Sequence, residues 1–315
     1  MRIVYMGTPD FAAPCLEKII EQKHEVLTVI TQPDRPKGRG KKMQPPPVKV
    51  IAEKNNLPVY QPEKIRTTDF YQTLTELNPD LLVVVAYGKI LPKEILHLPP
   101  LGCVNVHASL LPKYRGAAPI HWAVINGEEE TGVTTMYMDE GMDTGDMIIA
   151  KSTPIGHNDT VGDIHDRLAE LGAETLGETL KLIANGEAPR TPQDHSKATY
   201  APMLKREHEL IDWNRSAIEL KNQILGMNPW PGTFTTLEDK VLKIWRAEID
   251  ECHAGGQPGE VIRCDKDIFV VQTGEGCLGI TELQLQGGKR MDACGFLCGR
   301  NIYTGVKLGV GGGNN

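Results

Sequence analysis

Within residues 80–87, Asp-Leu-Leu-Val-Val-Val-Ala-Tyr, positions 81–85 form the most continuous apolar run in this chain of 315 residues. A strand covered by helices on both faces is apolar along its whole length, whereas a strand with one wet face alternates. The run therefore predicts a central strand of a parallel sheet. The N-terminus agrees, because a strand (2–7), a helix (9–22) and a second strand (26–31) give a βαβ start.

The next predicted strand lies in residues 102–116, Gly-Cys-Val-Asn-Val-His-Ala-Ser-Leu-Leu-Pro-Lys-Tyr-Arg-Gly. Its alternation places the polar side chains of Asn105, His107 and Ser109 on one side of an extended backbone. They need either buried hydrogen-bond partners or a cleft. Because the strand runs into Leu-Leu-Pro and a Tyr-Arg-Gly turn, and ligands bind at strand ends in open α/β sheets, we expect a site here.

A second polar stretch follows downstream, where an acidic, glycine-rich turn (139–145) joins two predicted strands, 131–138 and 146–152. A calcium loop of the EF-hand type is excluded, because Gly141 and Ala150 occupy the third and twelfth liganding positions. Asp143 is then either a turn residue that bonds its own backbone or a carboxylate aimed at the site.

Composition limits the function classes. The chain is 40% hydrophobic and 24% charged, as in soluble globular proteins, and its formal charge of −7 is unsuited to a protein coated in nucleic acid. We expect a cytoplasmic protein of bacterial type, with no signal or transit peptide and no membrane partner. The seven cysteines are expected to be reduced thiols, and without a second Cys or His pair beside Cys294 and Cys298 no metal site is predicted.

A basic segment interrupts the first βαβ rhythm. Residues 32–47 contain one acid, Asp34, several prolines and glycines, and five cations: Arg35, Lys37, Arg39, Lys41 and Lys42. The segment is either a solvated surface loop or a contact to a phosphate backbone. A nicotinamide-binding loop is disfavoured, because only Gly7 stands where three glycines are needed.

The rest of the chain predicts two domains. An amphipathic helix (160–184) ends a Rossmann-like α/β domain with a mostly parallel sheet (1–185), and residues 186–206 are a predicted linker. Five short strands within 207–308 predict a smaller C-terminal β-barrel of OB-like type, with a disordered tail at 309–315. From residue 207 onward, eleven basic residues face fifteen acidic ones, which is unfavourable for a general nucleic-acid module.

These motifs carry a family resemblance. The run from His107 to Gly116, preceded by Asn105, and the later Met-Asp-Thr-Gly-Asp (142–146) resemble the signature of folate-dependent formyltransferases. The branch that formylates methionyl-tRNA is matched further by Gly-Thr-Pro-Asp-Phe-Ala (7–12), Gly-Arg-Gly (38–40), Thr-Tyr-Ala-Pro-Met (199–203), Ile-Asp-Trp (211–213) and Asn-Pro-Trp-Pro-Gly (228–232).

The resemblance implies transfer of the formyl group of 10-formyltetrahydrofolate to the α-amine of methionine on initiator tRNA, by a monomer. It implies Asn105, His107 and Asp143 as the catalytic residues. It also implies that the basic segment contacts the tRNA, with Arg39 foremost. The implied folate-binding residues are Ser109, Leu110, Leu111 and Pro112.

The residue types suit that chemistry. Amine attack on a formyl carbon builds negative charge on oxygen and positive charge on nitrogen. Asn105 can donate to the oxygen, whereas His107 can donate when protonated or accept the amine proton when neutral, and Asp143 can orient it. The same trio also serves a formyltransferase acting on an amino sugar nucleotide or a formyltetrahydrofolate hydrolase. A nucleic-acid-binding module without catalysis would leave Asn105 and His107 unexplained.

Overall fold

The computed structural model describes residues 1–37, 42–251, 255–299 and 302–309. The strands in chain order are β1 (Arg2–Gly7), β2 (Glu25–Ile30), β3 (Arg35–Lys37), β4 (Lys42–Gln44), β5 (Val59–Tyr60), β6 (Leu81–Val85), β7 (Cys103–His107), β8 (Arg115–Gly116), β9 (Glu130–Tyr137), β10 (Met147–Pro154), β11 (Tyr200–Ala201), β12 (Thr233–Leu237), β13 (Lys240–Asp250), β14 (Val261–Cys264), β15 (Phe269–Gln272), β16 (Cys277–Leu285) and β17 (Met291–Asp292).

The helices are α1 (Ala13–Glu21), α2 (Pro47–Lys54), α3 (Thr68–Leu77), α4 (Lys93–Leu96), α5 (Pro119–Ile125), α6 (Val161–Asn185), α7 (Arg206–Glu209), α8 (Ala217–Gly226) and α9 (Ala293–Gly299). The predicted N-terminal cap is present at the start of α6. The hydroxyl of Thr160 accepts from the Asp163 backbone N–H, and the Asp163 carboxylate accepts from the Thr160 backbone N–H at 2.9 Å. Ser216 and Glu219 repeat this capping box at α8.

The chain forms two compact units. Unit 1 comprises Met1–Pro119, Glu130–Pro154 and His165–Ala201, and unit 2 comprises Ile120–Glu129, Ile155–Ile164 and Pro202–Asn315. Unit 1 contains a seven-stranded sheet in the order β10-β9-β7-β6-β1-β2-β5. The strands from β7 to β5 are parallel, whereas β9 is antiparallel to both of its neighbours, β7 and β10. The predicted Rossmann-like, mostly parallel sheet is confirmed, with the apolar run 81–85 as a fully buried strand.

Helices cover both faces of this sheet. On one face Phe70 and Leu74 of α3 share an apolar cluster with Leu82 and Val84 of β6. On the other face α6 approaches β7 so closely at Gly172 that an added Cβ would lie 3.3 Å from Cγ1 of Val106. By alternation Val104 and Val106 of β7 face α6, whereas Asn105 and His107 lie on the other side, with Cys103, which joins the α3 cluster.

Unit 2 is built on an antiparallel sheet in the order β12-β13-β16-β15-β14, with β17 beside β16. Its five main strands coincide with those predicted from the sequence. They enclose an apolar cluster that includes Trp213, Leu242, Phe269, Ile280 and Phe296. No pairing of β12 with β14 is found in the described parts of the chain, so the barrel-like sheet is partly open.

Some sequence expectations need correction. The basic segment is not a plain loop, because β3 and β4 pair as an antiparallel hairpin with Arg35 opposite Gln44. Cys277 is disulfide-bonded, so the prediction that all seven cysteines are reduced thiols is wrong. The free cysteines among the described residues are Cys15, Cys103, Cys264, Cys294 and Cys298. Of the disordered tail expected at 309–315, Gly309 is described and its N–H donates to the Thr236 carbonyl at 3.0 Å, and the residues after it lie outside the described residues. Within those residues no helix is long and apolar enough to cross a membrane.

Candidate active site

Strand β7 positions the two polar side chains predicted from its alternation. It lies between β6 and β9, with Asn105 opposite Val84 and Met136 and with His107 opposite Thr134. The His107 ring is buried, with 6% exposed, while Asn105 is partly buried. Within the described chain the Asn105 amide forms no hydrogen bond, so its N–H groups are available to a ligand.

The two nitrogens of His107 have different partners. Nε2 lies 3.0 Å from the carbonyl oxygen of Tyr114. Because a carbonyl oxygen can only accept, Nε2 carries a proton. Nδ1 lies 3.7 Å from Oδ2 of Asp143. The nitrogen that can gain or lose a proton is therefore Nδ1, which faces the carboxylate.

The Asp143 carboxylate is directed at the site and not at its own turn. Its Oδ2 accepts a hydrogen bond of 2.9 Å from the backbone N–H of Gly116. The local turn is closed instead by Asp139, whose Oδ1 accepts from the Gly141 N–H at 3.0 Å and from Thr144 Oγ1 at 2.6 Å. The structure therefore separates the two interpretations of this acidic turn, and Asp143 lies beside His107.

Backbone geometry explains the residue types around Asp143. Asp143 has a left-handed backbone, with φ of 53°, which Asp tolerates better than most residues. A Cβ at Gly145 would lie 1.8 Å from the Tyr137 carbonyl oxygen, so only glycine fits there. At Gly116, whose φ is 118°, a Cβ would lie 2.8 Å from the Ala201 carbonyl oxygen. Both glycines let the Asp143 loop and the β8 turn pack tightly.

The predicted folate-binding residues form a turn directly after β7. Ser109 is buried and donates through Oγ to the Lys113 carbonyl at 2.7 Å. Thr134 Oγ1 donates to the Ser109 carbonyl at 2.7 Å and accepts from the Leu111 N–H at 3.1 Å. Leu111 is buried, and Leu110 and Pro112 are partly buried. Their polar groups are thus used to shape the loop.

The basic hairpin is separate from the trio. Arg35 and Lys42 are exposed, Lys37 ends β3, and Arg39 and Lys41 lie outside the described residues. The hairpin follows β2, and β1 and β6 lie between β2 and β7, a separation of about 14 Å at usual strand spacing.

A polar network anchors the base of this hairpin. Nζ of Lys49 lies 2.9 Å from both Asp34 carboxylate oxygens and 3.0 Å from Gln61 Oε1. Gln61 Nε2 also donates to Asp34 Oδ1 at 2.8 Å. These donors lower the pKa of Asp34, with Lys49 as the largest cause and Gln61 next. The carboxylate therefore stays ionised.

A shallow basic hollow was missed by the sequence reasoning. It is lined by Lys64, Ile65, Arg66, Lys89 and Ile90. Lys89 and Ile90 follow β6, the strand next to Asn105, and Nζ of Lys89 donates to the Glu63 carbonyl at 2.8 Å. The sequence signal was weak, because these cations are dispersed among apolar and polar residues.

Two further residues were missed, Arg115 and Gln193. Both side chains are buried, and they are hydrogen-bonded to each other beside the Asp143 loop. Arg115 was visible only as part of the Tyr-Arg-Gly turn. Gln193 lies within the predicted linker, where no periodicity or motif marks it. The described residues contain no group of three His, Cys, Asp or Glu side chains that could hold a metal ion.

Comparisons with known proteins place this geometry in context. Residues 1–180 match the family described as "Formyl transferase", and residues 203–301 match "Formyl transferase, C-terminal domain". A protein named methionyl-tRNA formyltransferase from Desulforamulus reducens is 57% identical over 314 residues, which is 99% of each chain. One of the same name from Clostridioides difficile is 52% identical over 98% of this chain and 100% of its own.

Solved structures share the fold at lower identity. A sugar 3N-formyl transferase solved with dTDP and 5-N-formyl-THF has a TM-score of 0.67 and 21% identity, covering 92% of this chain and 99% of its own. HypX from Aquifex aeolicus in complex with tetrahydrofolic acid has a TM-score of 0.64 and 19% identity, covering 94% of this chain and 47% of its own.

Proposed function

Because the chain belongs to the formyl transferase family, we propose that it transfers the formyl group of 10-formyltetrahydrofolate to the α-amine of methionine on initiator methionyl-tRNA, for translation initiation. The observation that carries the chemistry is the placement of His107 Nδ1 3.7 Å from Asp143 Oδ2, with the unpartnered Asn105 amide on the same side of β7. The near full-length relatives decide the acceptor, since the sugar formyl transferase shares only the fold.

The donor supplies an electrophilic formyl carbon and a leaving amine. Asn105 donates an N–H to the formyl oxygen as that oxygen gains negative charge, a contribution of about 3 kcal/mol for a single donor. His107 accepts the proton of the attacking amine at Nδ1, because Nε2 is already bonded to the Tyr114 carbonyl. Asp143 stabilises the imidazolium that forms, and the proton ends on the leaving amine, so none is consumed.

The residues present fit a folate. Its glutamate tail is anionic, and the hollow of Lys64, Arg66 and Lys89 offers cations next to the loop that follows β6. The flat, partly apolar body of the folate suits the exposed side chain of Ile90. The turn after β7 borders the folate donor through its shape. It consists of Ser109, Leu110, Leu111 and Pro112.

The acceptor is held by charge. Arg35, Lys37, Arg39, Lys41 and Lys42 contact phosphates of the tRNA acceptor end, and each contact releases condensed counterions. The network of Asp34, Lys49 and Gln61 fixes where the hairpin leaves the sheet.

Three further statements belong to this proposal. The protein works as a monomer. It acts in the cytoplasm, where translation is initiated. Residues 1–185 form the catalytic domain, 186–206 a linker and 207–308 a barrel domain, followed by a tail at 309–315; limited proteolysis with mass spectrometry tests these boundaries.

The deciding experiment measures formyl transfer from 10-formyltetrahydrofolate to methionyl-tRNA, with initiator and elongator tRNA side by side. A dTDP-linked amino sugar serves as a third acceptor, and the His107→Ala variant as the control. We expect formylated initiator tRNA alone, lost in the variant.

Other products would contradict the proposal. Donor consumed without any formylated acceptor would indicate a formyltetrahydrofolate hydrolase. Formylated sugar in place of tRNA would keep the catalytic trio and remove the proposed acceptor.

A further inference from the structure

We infer that Gln193 is a positioning residue for the formyl transfer, acting through Asp143. The inference rests on the proposed function, since it assigns to Gln193 the task of holding the carboxylate that faces His107. Gln193 lies in residues 186–206, which the sequence predicted to be a linker, and it belongs to none of the motifs identified there. Its side chain is 5% exposed.

The Gln193 amide uses both of its ends. Nε2 donates to the Asp143 carbonyl and to the Gly145 carbonyl, each at 2.8 Å. Oε1 accepts from Arg115, at 3.1 Å from Nε and 2.6 Å from Nη2. One side chain thus joins the Asp143 loop to the β8 turn that starts at Arg115.

The hydrogen bonds of Gln193 restrain the backbone of Asp143, whose carboxylate faces His107. Three contacts hold Asp143: its carbonyl oxygen accepts from Gln193, and its Oδ2 accepts from the Gly116 N–H and lies 3.7 Å from His107 Nδ1. Its φ of 53° is a conformation that an unrestrained loop leaves readily. Without the Gln193 donors, the loop is free to relax and to move the carboxylate away from His107.

The charges around Gln193 explain why a neutral amide is needed. Arg115 is 2% exposed, and among the described residues no carboxylate lies within 4.0 Å of its guanidinium. Its other side-chain partner is Nδ1 of His195 at 3.2 Å, which must accept because the guanidinium only donates. A glutamine accepts from Arg115 through its oxygen and donates to two carbonyls through its nitrogen. A carboxylate can also accept from Arg115, but it has no N–H to donate to the carbonyls.

The variant Gln193→Glu separates the bond that Gln193 accepts from Arg115 from the bonds that it donates to the Asp143 loop. It keeps an acceptor for Arg115, so the buried guanidinium retains a partner and the fold is preserved. It removes the donors to Asp143 and Gly145. We expect kcat to fall on the order of tenfold to a hundredfold, as for a misplacement of about 1 Å. KM for both substrates should stay within about twofold, because the Gln193 side chain is buried against Arg115, Asp143 and Gly145.

A double-mutant cycle with Asp143→Asn identifies the route of the effect. If Gln193 acts through the Asp143 carboxylate, then Gln193→Glu causes almost no further loss of kcat once that carboxylate is gone. A purely structural role would make the two losses multiply. Multiplicative losses would therefore overturn the inference.

Gln223 supplies a matched control. It is 4% exposed in unit 2, and its Nε2 also donates to two backbone carbonyls, of His208 at 2.8 Å and of Leu210 at 3.0 Å. Neither carbonyl belongs to a proposed site residue. Gln223→Glu should lower the melting temperature and leave kcat unchanged.

The outcomes separate this inference from the proposed function. A wild-type protein that formylates no acceptor would contradict the proposed function itself. An active wild type, an impaired Asp143→Asn variant and a folded Gln193→Glu variant with unchanged kcat would contradict only the role of Gln193. A Gln193→Glu variant with reduced kcat, unchanged KM and a non-additive cycle would support it.

Discussion

The carboxyl end of β7 and the β3–β4 hairpin use polar residues in opposite ways. At the end of β7 the buried side chains of His107 and Ser109 are held by backbone carbonyls, and His107 lies between the Tyr114 carbonyl and Asp143. In the hairpin Arg35 and Lys42 are exposed, and within the described residues neither has an ion-pair partner. The base of the hairpin is anchored by the ion pair of Asp34 and Lys49.

The two regions are therefore suited to different tasks. Groups locked by buried hydrogen bonds keep a fixed geometry, which a reaction requires. Exposed cations without partners keep their full attraction for phosphate and adapt to it. We therefore expect changes at β7 to lower kcat and changes in the hairpin to raise KM for tRNA.

The largest effect is expected for His107→Ala. We propose His107 as the general base, and removing such a base costs about a hundredfold to ten-thousandfold in rate, so kcat should fall by about a thousandfold. KM for methionyl-tRNA should stay near the wild-type value, because the hairpin is intact. Steady-state kinetics with both substrates varied measure this. A rise in KM with kcat unchanged would erase the proposed contrast between the two regions.

A smaller loss is expected for Asn105→Ala. We propose that the amide donates one hydrogen bond to the developing negative charge, and loss of one such donor costs about a hundredfold to a thousandfold in kcat. Because Asn105 has no partner among the described residues, its removal leaves no buried group unsatisfied. The melting temperature should therefore hardly change. A variant that is destabilised yet fully active per folded molecule would show that Asn105 serves the fold instead.

The hairpin offers the opposite test. The double variant Arg35→Gln, Lys42→Gln should raise KM for methionyl-tRNA by about tenfold and reduce its salt dependence by a slope of about one to two. kcat at saturating tRNA should be unchanged. KM measured at several salt concentrations checks both statements.

A charge-matched control separates local contacts from net charge. Lys23 and Lys181 are also exposed, and neither has an ion-pair partner in the described chain. Lys23→Gln, Lys181→Gln changes the net charge by the same amount. If this control weakens tRNA binding as much as the hairpin variant, the hairpin has no special role.

The sequence predicted each region to a different depth. The sheet and the positions of Asn105 and His107 followed from local patterns, since hydrophobic continuity and alternation depend on neighbouring residues only. The bonds that orient Asp143 could not be predicted in this way. Gln193 contacts it from 50 residues away through a backbone carbonyl, which has no side-chain signature. The hairpin was missed because Pro36 weakens strand patterns.

The smallest expected effect concerns pH and the base of the hairpin. Lys49 and Gln61 lower the pKa of Asp34 below its ordinary 3.8 in the folded state, so the ionised carboxylate stabilises the fold above that value. That stability is lost as the pH falls through the lower, folded pKa. Asp34→Asn should therefore have a lower free energy of unfolding than wild type. This difference should be constant between about pH 5 and 8 and should become smaller below about pH 4.

Urea unfolding of both proteins at several pH values measures this difference in the free energy of unfolding. The same variant tests the regional contrast, because it leaves every residue at the end of β7 in place. kcat should remain at the wild-type level, while KM for methionyl-tRNA rises modestly as the hairpin loses its anchor. A difference that widens on acidification would mean that Asp34 is not held ionised by Lys49, and the hairpin would then lack the anchored base that distinguishes it from an ordinary surface loop.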